Sequence, residues 1–588
     1  MPSIIRGSFN KLLPPNSRFE LWLRTNYHKL NSTSLAFKIK DWHSRISCKS
    51  CLDHEGSASL ASLDDIGRQP KVSFILDLDK ATPLEFAKTI HSIANLIGDD
   101  WEIICLGEST KFNRLVANSA EYHSKIKHLL TIEDNLLGQM SGEFVLFCAP
   151  GDRFARTLLL KFYEALNSSE DADVYYYNCG YAAPGENKNK LFFKPGEASP
   201  ALLLSVNYFS RGLISRAALE KTDFHFNSKK PLLTQEYRLC LELQSEDFAF
   251  QHLPHVLVSQ NELVTSGDVE NQAAIIEHLE QQGVAGVVAK QGPSGTRFVW
   301  PTSEPSVAVV IPTLNNRKLL EPLVDSLLHN NYRNLAITIV DNNSTDPATI
   351  SYFQEIRNLP RVSVVSYNKN FNYSEAINLG AANSNSDLLL FLNDDIGVSN
   401  DFWLEELVQW ATRPEIGVVG TKLIRANHTI QHAGIILGLN RFAGHIYLNA
   451  PEDYSGLVGS VDWYRNYMAL TGACQMVRRD LFEAVGGYDE AYLLAFSDID
   501  FCLKVYEKGY SNLYTPFASL FHYEGVSRGY NTPPADILRG YQRIEGYLRA
   551  GDPYFSEGLS FQPIPHCQSS PKEKLLKAFE QRKSRYQH

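Results

Sequence analysis

The turn Asn393-Asp394-Asp395 has the residue types and spacing for chemistry. It follows five apolar residues, 388–392, and precedes an amphipathic stretch led by Phe402 and Trp403. An apolar run of that length between polar flanks predicts a central strand rather than a membrane span. Carboxylates at the C-terminal end of such a strand stand where open α/β sheets bind their ligands. Side by side they repel, and a hard divalent metal bridging to phosphate oxygens relieves that repulsion. The same residues also suit an acidic turn capping the next helix.

Other groups of this kind recur at the ends of apolar runs. Asp341 closes the run LAITIV (335–340), where it can accept a hydrogen bond from a ring N–H or cap the helix that follows DNNSTDP. Asp498 and Asp500 lie in FSDIDFCLKV, ahead of an apolar helical run, and a carboxylate there suits general-base work. His522 follows SLF (519–521) and reads equally as a metal ligand or a satisfied core histidine. Arg528 suits a bidentate grip on phosphate or an ordinary surface position. Gly472 permits close backbone approach, and Trp463 offers a ring for stacking or a plain core residue.

The elements that must position these residues follow an α/β plan written twice. VSFIL (72–76), WEIICL (101–106) and EFVLFC (143–148) read as strands, with helices at 83–97 and 157–166. VAVVIP (307–312), LAITIV and the run at 388–392 repeat the plan, with a helix at 319–330. Alternating strands and helices predict a mostly parallel sheet covered on both faces. VSFILDLDKATPLEFAKTIHSI superimposes on VAVVIPTLNNRKLLEPLVDSLL at an offset of 235 without a gap, and SGEFVLFCAPGD matches NSDLLLFLNDDI. In this alignment Leu106 stands against Asp341, and Ala149-Pro150-Gly151 with Asp152 stands against the acidic turn. The first copy keeps the apolar skeleton and loses carboxylates, as a scaffold or acceptor-docking domain would. The predicted divisions are a basic arm and linker at 1–70, a degenerate domain at 71–262, a helical connector at 263–303, a catalytic domain at 304–535 and a helical C-terminal extension at 536–588.

Residues 306–530 resemble the family 2, GT-A-fold glycosyltransferases that build bacterial surface polysaccharides such as O-antigen or capsule. The resemblance is carried by AVVIPTLN (308–315), IVDNNSTDP (339–347), FNYSEAINLG (371–380), LLFLNDDI (389–396), IQHAGIILG (430–438), LTGACQMVRRDLFEAVGGYDE (470–490), FSDIDFCLKV (496–505) and LFHYEGVSRG (520–529), with DPYFSEGLS (552–560) beyond. It implies two tandem GT-A-like, Rossmann-like domains with helical or irregular extensions, the first degenerate. It places the donor nucleotide against Pro312, Thr313, Asp341 and Asp394, with Arg528 on the diphosphate. Asp395 takes the metal position of the family's D-x-D, whose first acid is Asn393 here, and His522 is a third ligand for Mg2+ or Mn2+. Asp498 is the base, Asp500 orients its loop, and Gly472 and Trp463 fall on the acceptor side.

The implied activity is inverting, metal-dependent transfer of a sugar from a nucleotide diphosphate donor to a lipid-linked oligosaccharide. Alternatives are a two-site polysaccharide polymerase, a non-catalytic glycan-binding assembly subunit, and a sugar-nucleotide pyrophosphorylase. The last needs a Gly-rich basic loop after the first strand, where TLNNRKLLE stands instead. A net charge of -10 argues against nucleic acid as a partner. The nine cysteines are odd in number and lie mostly in apolar runs, as reduced core thiols of a cytosolic protein do. Cys48-x-x-Cys51-x-x-His54 has metal-like spacing but no second pair. Nine Lys/Arg interleaved with aromatics in residues 1–50 suit peripheral contact with an anionic membrane on its cytoplasmic face, or a helical arm packed on the body. No signal peptide or membrane-spanning run is visible.

Overall fold

The computed structural model describes residues 37–44 and 66–584, apart from 80, 117–123, 133–135, 169–170, 183–188, 223, 247, 293–294, 524–531 and 569. The apolar runs of the first half become buried strands. β1 (Val72–Asp77), β2 (Trp101–Leu106), β3 (Ile126–Leu129) and β4 (Phe144–Cys148) lie parallel, with α1 (Pro83–Ala94) between β1 and β2 in the chain. α1 starts at Pro83 because a proline costs nothing in a first turn, and Thr82 and Glu85 cap each other reciprocally. The sheet continues through β5 (Arg153–Phe154), β6 (Val174–Ala182), β7 (Asn189–Phe192), β8 (Leu213–Ser215) and β9 (Phe250–Gln260), with α2 (Leu232–Ser245) before β9. Its order is β3-β2-β1-β4-β8-β6-β9-β5, with β7 paired to β6. β8 runs against both neighbours, so the sheet is mixed although mostly parallel.

The stretch 263–303, expected as a helical connector, holds one helix and a hairpin. α3 (Val269–Gln281) begins where Asp268 accepts from the amides of Glu270 and Asn271. A hairpin follows, β10 (Val288–Gln291) paired with β11 (Thr296–Val299). Strands of four residues are too short to carry a readable period.

The second half repeats the first along the main path of its sheet. β12 (Val307–Thr313), α4 (Arg317–Leu328), β13 (Leu335–Asp341), α5 (Pro347–Ile356), β14 (Val362–Ser366), α6 (Tyr373–Ala382) and β15 (Leu388–Leu392) make its parallel half. β16 (Ile396–Val398), α7 (Trp403–Ala411) and β17 (Ile416–Ile424) follow. Next come β18 (Ile430–His432), β19 (Ile435–Leu437), β20 (Ala443–His445), a small hairpin of β21 (Ser455–Gly456) and β22 (Gly459–Ser460), and β23 (Arg465–Asn466). β24 (Cys474–Arg478), α8 (Ser497–Glu507) and β25 (Ser511–His522) complete the sheet in the order β14-β13-β12-β15-β24-β17-β25-β16. That order is the first sheet's with each strand replaced by its counterpart. α9 (Pro534–Ala550) and α10 (Pro571–Lys583) close the chain.

The two halves share one apolar core that runs from β1 to β25. Trp463 belongs to it: the ring packs edge-on against Phe192 of the first half and is 8% exposed. Arg297 on β11 forms a buried ion pair with Glu406 on α7, which also accepts from Trp410, Tyr464 and Thr515. Residues 37–44 are helical and dock through Ser44 on the Pro565 carbonyl and Asp41 on the Tyr454 hydroxyl. The rest of the basic arm and the Cys48, Cys51, His54 cluster lie outside the described residues. The described cysteines are buried. Among the described residues no helix is long and apolar enough to cross a membrane.

Candidate active site

The C-terminal ends of β12, β13 and β15 bring the predicted acids to one edge. Thr313 pairs in register with Asp341 and donates its hydroxyl to Asp394 at 2.7 Å. Pro312 is buried beside them, opposite Val340. Asp341 accepts from the Ser344 amide at 2.9 Å and so shapes its own turn, while capping of α5 falls to Asp346. Asn393 donates its amide to the Ala473 carbonyl at 3.0 Å, which ties the acidic turn to the segment carrying Gly472.

Asp395 and His522 meet because β16 pairs with β25, Ile396 opposite His522. Their side chains are buried, and Asp395 Oδ1 lies 3.1 Å from His522 Nε2. His522 Nδ1 has no hydrogen-bond partner among the described residues, and Asp395 Oδ1 has none of good geometry. Adjacent ligand atoms of one octahedral cation stand about 3 Å apart, so this separation suits a shared divalent ion. The carboxylate suits Mg2+ or Mn2+, and the imidazole adds a nitrogen ligand. Among the described residues no third His, Cys, Asp or Glu completes a cage. The pair therefore fits a metal that takes its remaining ligands from substrate and water.

Asp498 stands in the first turn of α8, partly buried. Its Oδ2 accepts from the Gly472 amide and its Oδ1 from the Ile499 amide, both at 2.9 Å. Burial pushes its carboxyl above the ordinary aspartate value, against the pull of those amides. Gly472 is needed for this approach, since a Cβ there would sit 3.2 Å from Asp498 Cβ and 3.2 Å from the Tyr373 hydroxyl. Asp500 faces the other way, pairing with Arg543 of α9 at 2.6 Å and Lys504 at 3.3 Å. Arg528 lies outside the described residues.

Asp536 escaped the sequence reading. Fully buried at the start of α9, it accepts from the amides of Leu493, Leu494 and Ala495, the loop that leads into Asp498. Asp552 escaped it too; burial pushes its carboxyl up to about 7 while it accepts from Leu437 and Tyr554. Both act on residues distant in sequence, and no local pattern announces that.

The first half shows what its copy of the site has become. β1 pairs Val72 with Trp101 and Phe144, where β12 pairs Val307 with Leu335 and Leu388. The register sets Leu106 against Val340 and Gly107 against Asp341, one residue from the alignment read off the sequence. It sets Gly151 against Asp395 and, through β9, Gln260 against His522. Counting back from β9 without a gap sets Glu236 against Asp498. Glu236 is buried, accepts from the Arg211 amide and the Ser210 hydroxyl at 2.7 Å, and is pushed up to about 7 by burial. The Arg211 guanidinium, 1% exposed, pairs with buried Asp152 at 2.9 Å. Where the second copy sets Asp395 beside His522, the first has a buried arginine paired with Asp152.

Residues 308–486 match the family described as Glycosyl transferase family 2. The O-antigen biosynthesis protein RfbC of Myxococcus xanthus is 30% identical over 86% of this chain, an alignment that covers 41% of RfbC. A Sinorhizobium fredii relative matches at similar coverage, so the chain spans about half the length of these two curated relatives, 59% and 41%. The N-acetylglucosaminyl-diphospho-decaprenol L-rhamnosyltransferase of Mycobacterium tuberculosis is 26% identical over 40% of this chain and 81% of its own. A Pyrobaculum calidifontis mannosyltransferase solved with GDP-Man and Mn2+ aligns at TM-score 0.31 and 18% identity, covering 47% of this chain and 70% of its own. The match falls on the second half, whose mostly parallel sheet carries the acidic turn, and there the chain is similar to the family 2 glycosyltransferases.

Proposed function

We propose that the chain transfers a hexosyl or deoxyhexosyl unit from a nucleotide diphosphate sugar to a hydroxyl of a lipid-linked glycan in bacterial surface-polysaccharide synthesis, with inversion. The observation that carries this reading is the strand-end site in which Asp395 and His522 lie 3.1 Å apart and the neighbouring Gly472 amide holds Asp498. Asp341 would take the base, with Pro312 and Thr313 beneath it, and Asp394 and Asn393 would hold the turn around the diphosphate. Asp395 and His522 would hold Mg2+ or Mn2+, which when bound offsets the charge of the departing diphosphate. Asp498 would take the proton of the attacking hydroxyl, and a single displacement inverts the anomeric centre. Arg528 is assigned to the diphosphate from the sequence alone. The name of the Mycobacterium relative supports a diphospho-lipid acceptor, and that of the Myxococcus relative supports O-antigen synthesis.

The test is a panel of nucleotide sugars scored by nucleoside diphosphate release. Activity should vanish in EDTA, return with Mg2+ or Mn2+, and be absent from Asp395→Ala. Undiminished turnover in chelator would remove the metal from the scheme. The basic, aromatic N-terminal arm further supports peripheral attachment to an anionic cytoplasmic surface. Sedimentation with anionic liposomes at low salt, released by salt, checks it, and a chain that stays in the supernatant at low salt refutes it.

A further inference from the structure

The loop 224–230, α2 and α3 enclose a cavity of about 520 Å³ in the first half, and no step of the proposed reaction uses it. Its size falls within the roughly 300–1,000 Å³ of small-molecule sites. Phe224 and Phe226 supply an apolar wall, and Lys229, Lys230 and Arg238 supply charge. The loop is held in shape from α2: Gln235 accepts from the Asn227 amide at 2.6 Å and donates to the Lys230 carbonyl at 2.8 Å.

This loop has a counterpart in the second half. The register that sets Glu236 against Asp498 sets Phe226 against Tyr488, and two ring pairs agree with it. Phe226 packs on Phe147 of β4 at 5.7 Å, as Tyr488 packs on Phe391 of β15 at 5.4 Å. The same register sets Arg238 against Asp500. Each reaches the helix that follows its sheet, with the signs exchanged: Arg238 pairs with Glu277 of α3 at 3.1 Å, and Asp500 with Arg543 of α9 at 2.6 Å.

The two copies differ here in closure and in charge. In the second, Asp536 of α9 draws the loop onto the helix through the amides of Leu493, Leu494 and Ala495. In the first, Pro231, which has no N–H, stands against Leu493, and Asn271 in the first turn of α3 accepts from the Thr234 hydroxyl instead. The cavity lies between that loop and α3. The second copy carries Asp489, Glu490 and Asp500 in this region, where the first carries Lys229, Lys230 and Arg238. One carboxylate, Glu277, serves both Lys230 at 3.7 Å and Arg238 at 3.1 Å. Among the described residues no ion pair holds Lys229, which is exposed at the rim. The lining is therefore positive, and the Arg238 guanidinium stands over the Phe224 ring at 5.5 Å, which sets cation and aromatic wall side by side.

We infer that this cavity binds an anionic saccharide, with a sugar ring on Phe224 and Phe226 and its carboxylate or phosphate against Lys229 and Arg238. Phenyl rings suit the apolar face of a pyranose, and a guanidinium fork suits either oxyanion. On the glycosyl-transfer reading, from which the inference starts, the saccharide is the acceptor glycan. Holding it on the half that shares a core with the strand-end site raises its effective concentration there. A uronic acid residue and a sugar phosphate carry the same chemistry.

Calorimetric titration of the full chain in EDTA, without nucleotide sugar, keeps the metal-dependent site silent. The probes are a glucuronate-containing disaccharide, glucose 1-phosphate, a neutral disaccharide and inorganic phosphate. At least one anionic sugar should bind about tenfold more tightly than the neutral disaccharide and inorganic phosphate, the worth of one hydrogen bond to a charged group. The tighter of the two anionic sugars assigns the group as carboxylate or phosphate. Lys229→Ala, at an exposed position, should weaken that binding about tenfold, and Lys229→Arg should stay within about threefold. Equal binding of the neutral disaccharide or of inorganic phosphate, or an affinity indifferent to Lys229→Ala, would overturn the inference. A chain that turns over nucleotide sugar but binds neither anionic sugar loses this site and keeps the transfer reading. One that binds them through Lys229 but turns over no nucleotide sugar keeps the site and loses the transfer reading.

Discussion

Asp498 is held between opposing influences. Burial disfavours its charge, the amides of Gly472 and Ile499 favour it, and burial prevails. A raised pKa makes the carboxylate a better proton acceptor but keeps it protonated to a higher pH than an ordinary aspartate. Turnover should therefore fall on acidification through a pKa above about 3.9, the usual aspartate value. Asp498→Asn should lower kcat about 10²–10⁴-fold with nucleotide-sugar binding intact, and its residual rate should lack that acid limb. A pH series of kcat for both proteins checks this, and an unchanged rate in the asparagine variant would move the base elsewhere. The strand-end place of Asp395 and the helix-start place of Asp498 were legible in the sequence because each follows or opens a patterned apolar run. The purpose of Gly472 was legible only in part: the sequence said that something comes close, and the structure identifies it as Asp498 itself.

At the scale of elements, α9 shows how a helix outside the sheet governs the site. Its Asp536 gathers three amides of residues 493–495, and its Arg543 ties Asp500 and Glu507. Phe496 is left with φ +74, a conformation costly for a bulky residue and one the surrounding contacts must hold. Asp536→Ala would leave three amides without their acceptor. We expect about 2–3 kcal/mol lower stability, measured by urea unfolding, and a lower kcat with little change in nucleotide-sugar affinity. A variant with wild-type kcat would show that the loop holds Asp498 without α9. The helices and parallel strands of each half could be read from periodicity. The antiparallel strands β8 and β24 could not, because a short apolar run does not reveal its direction or its neighbours.

The whole molecule is one sheet plan used twice around a shared core, and the copies differ in how they meet charge. The repeat was visible because its first strands and helix keep the same spacing. The internal cation was invisible, because Arg211 lies 59 residues from the Asp152 it neutralises. In the first copy Gly107, Gly151 and Gln260 stand where the second has Asp341, Asp395 and His522, so the groups that the proposed reading assigns to base and metal have no counterpart at those positions. Burying Arg211 between Asp152 and Glu236 fills the charge requirement from within, and the turn at Gly151 runs at φ +96, where any side chain would be strained. The full chain should accordingly bind one nucleotide sugar per molecule in the presence of metal, and Asp395→Ala should abolish that binding completely. Calorimetric titration of both proteins measures the stoichiometry. Two equivalents in the wild type, with one surviving in the variant, would mean that the first half holds a working donor site and that the chain is a two-site polymerase. With Arg211 paired to Asp152 inside the first half and Gly151 and Gln260 at the positions of Asp395 and His522, one is the number we expect.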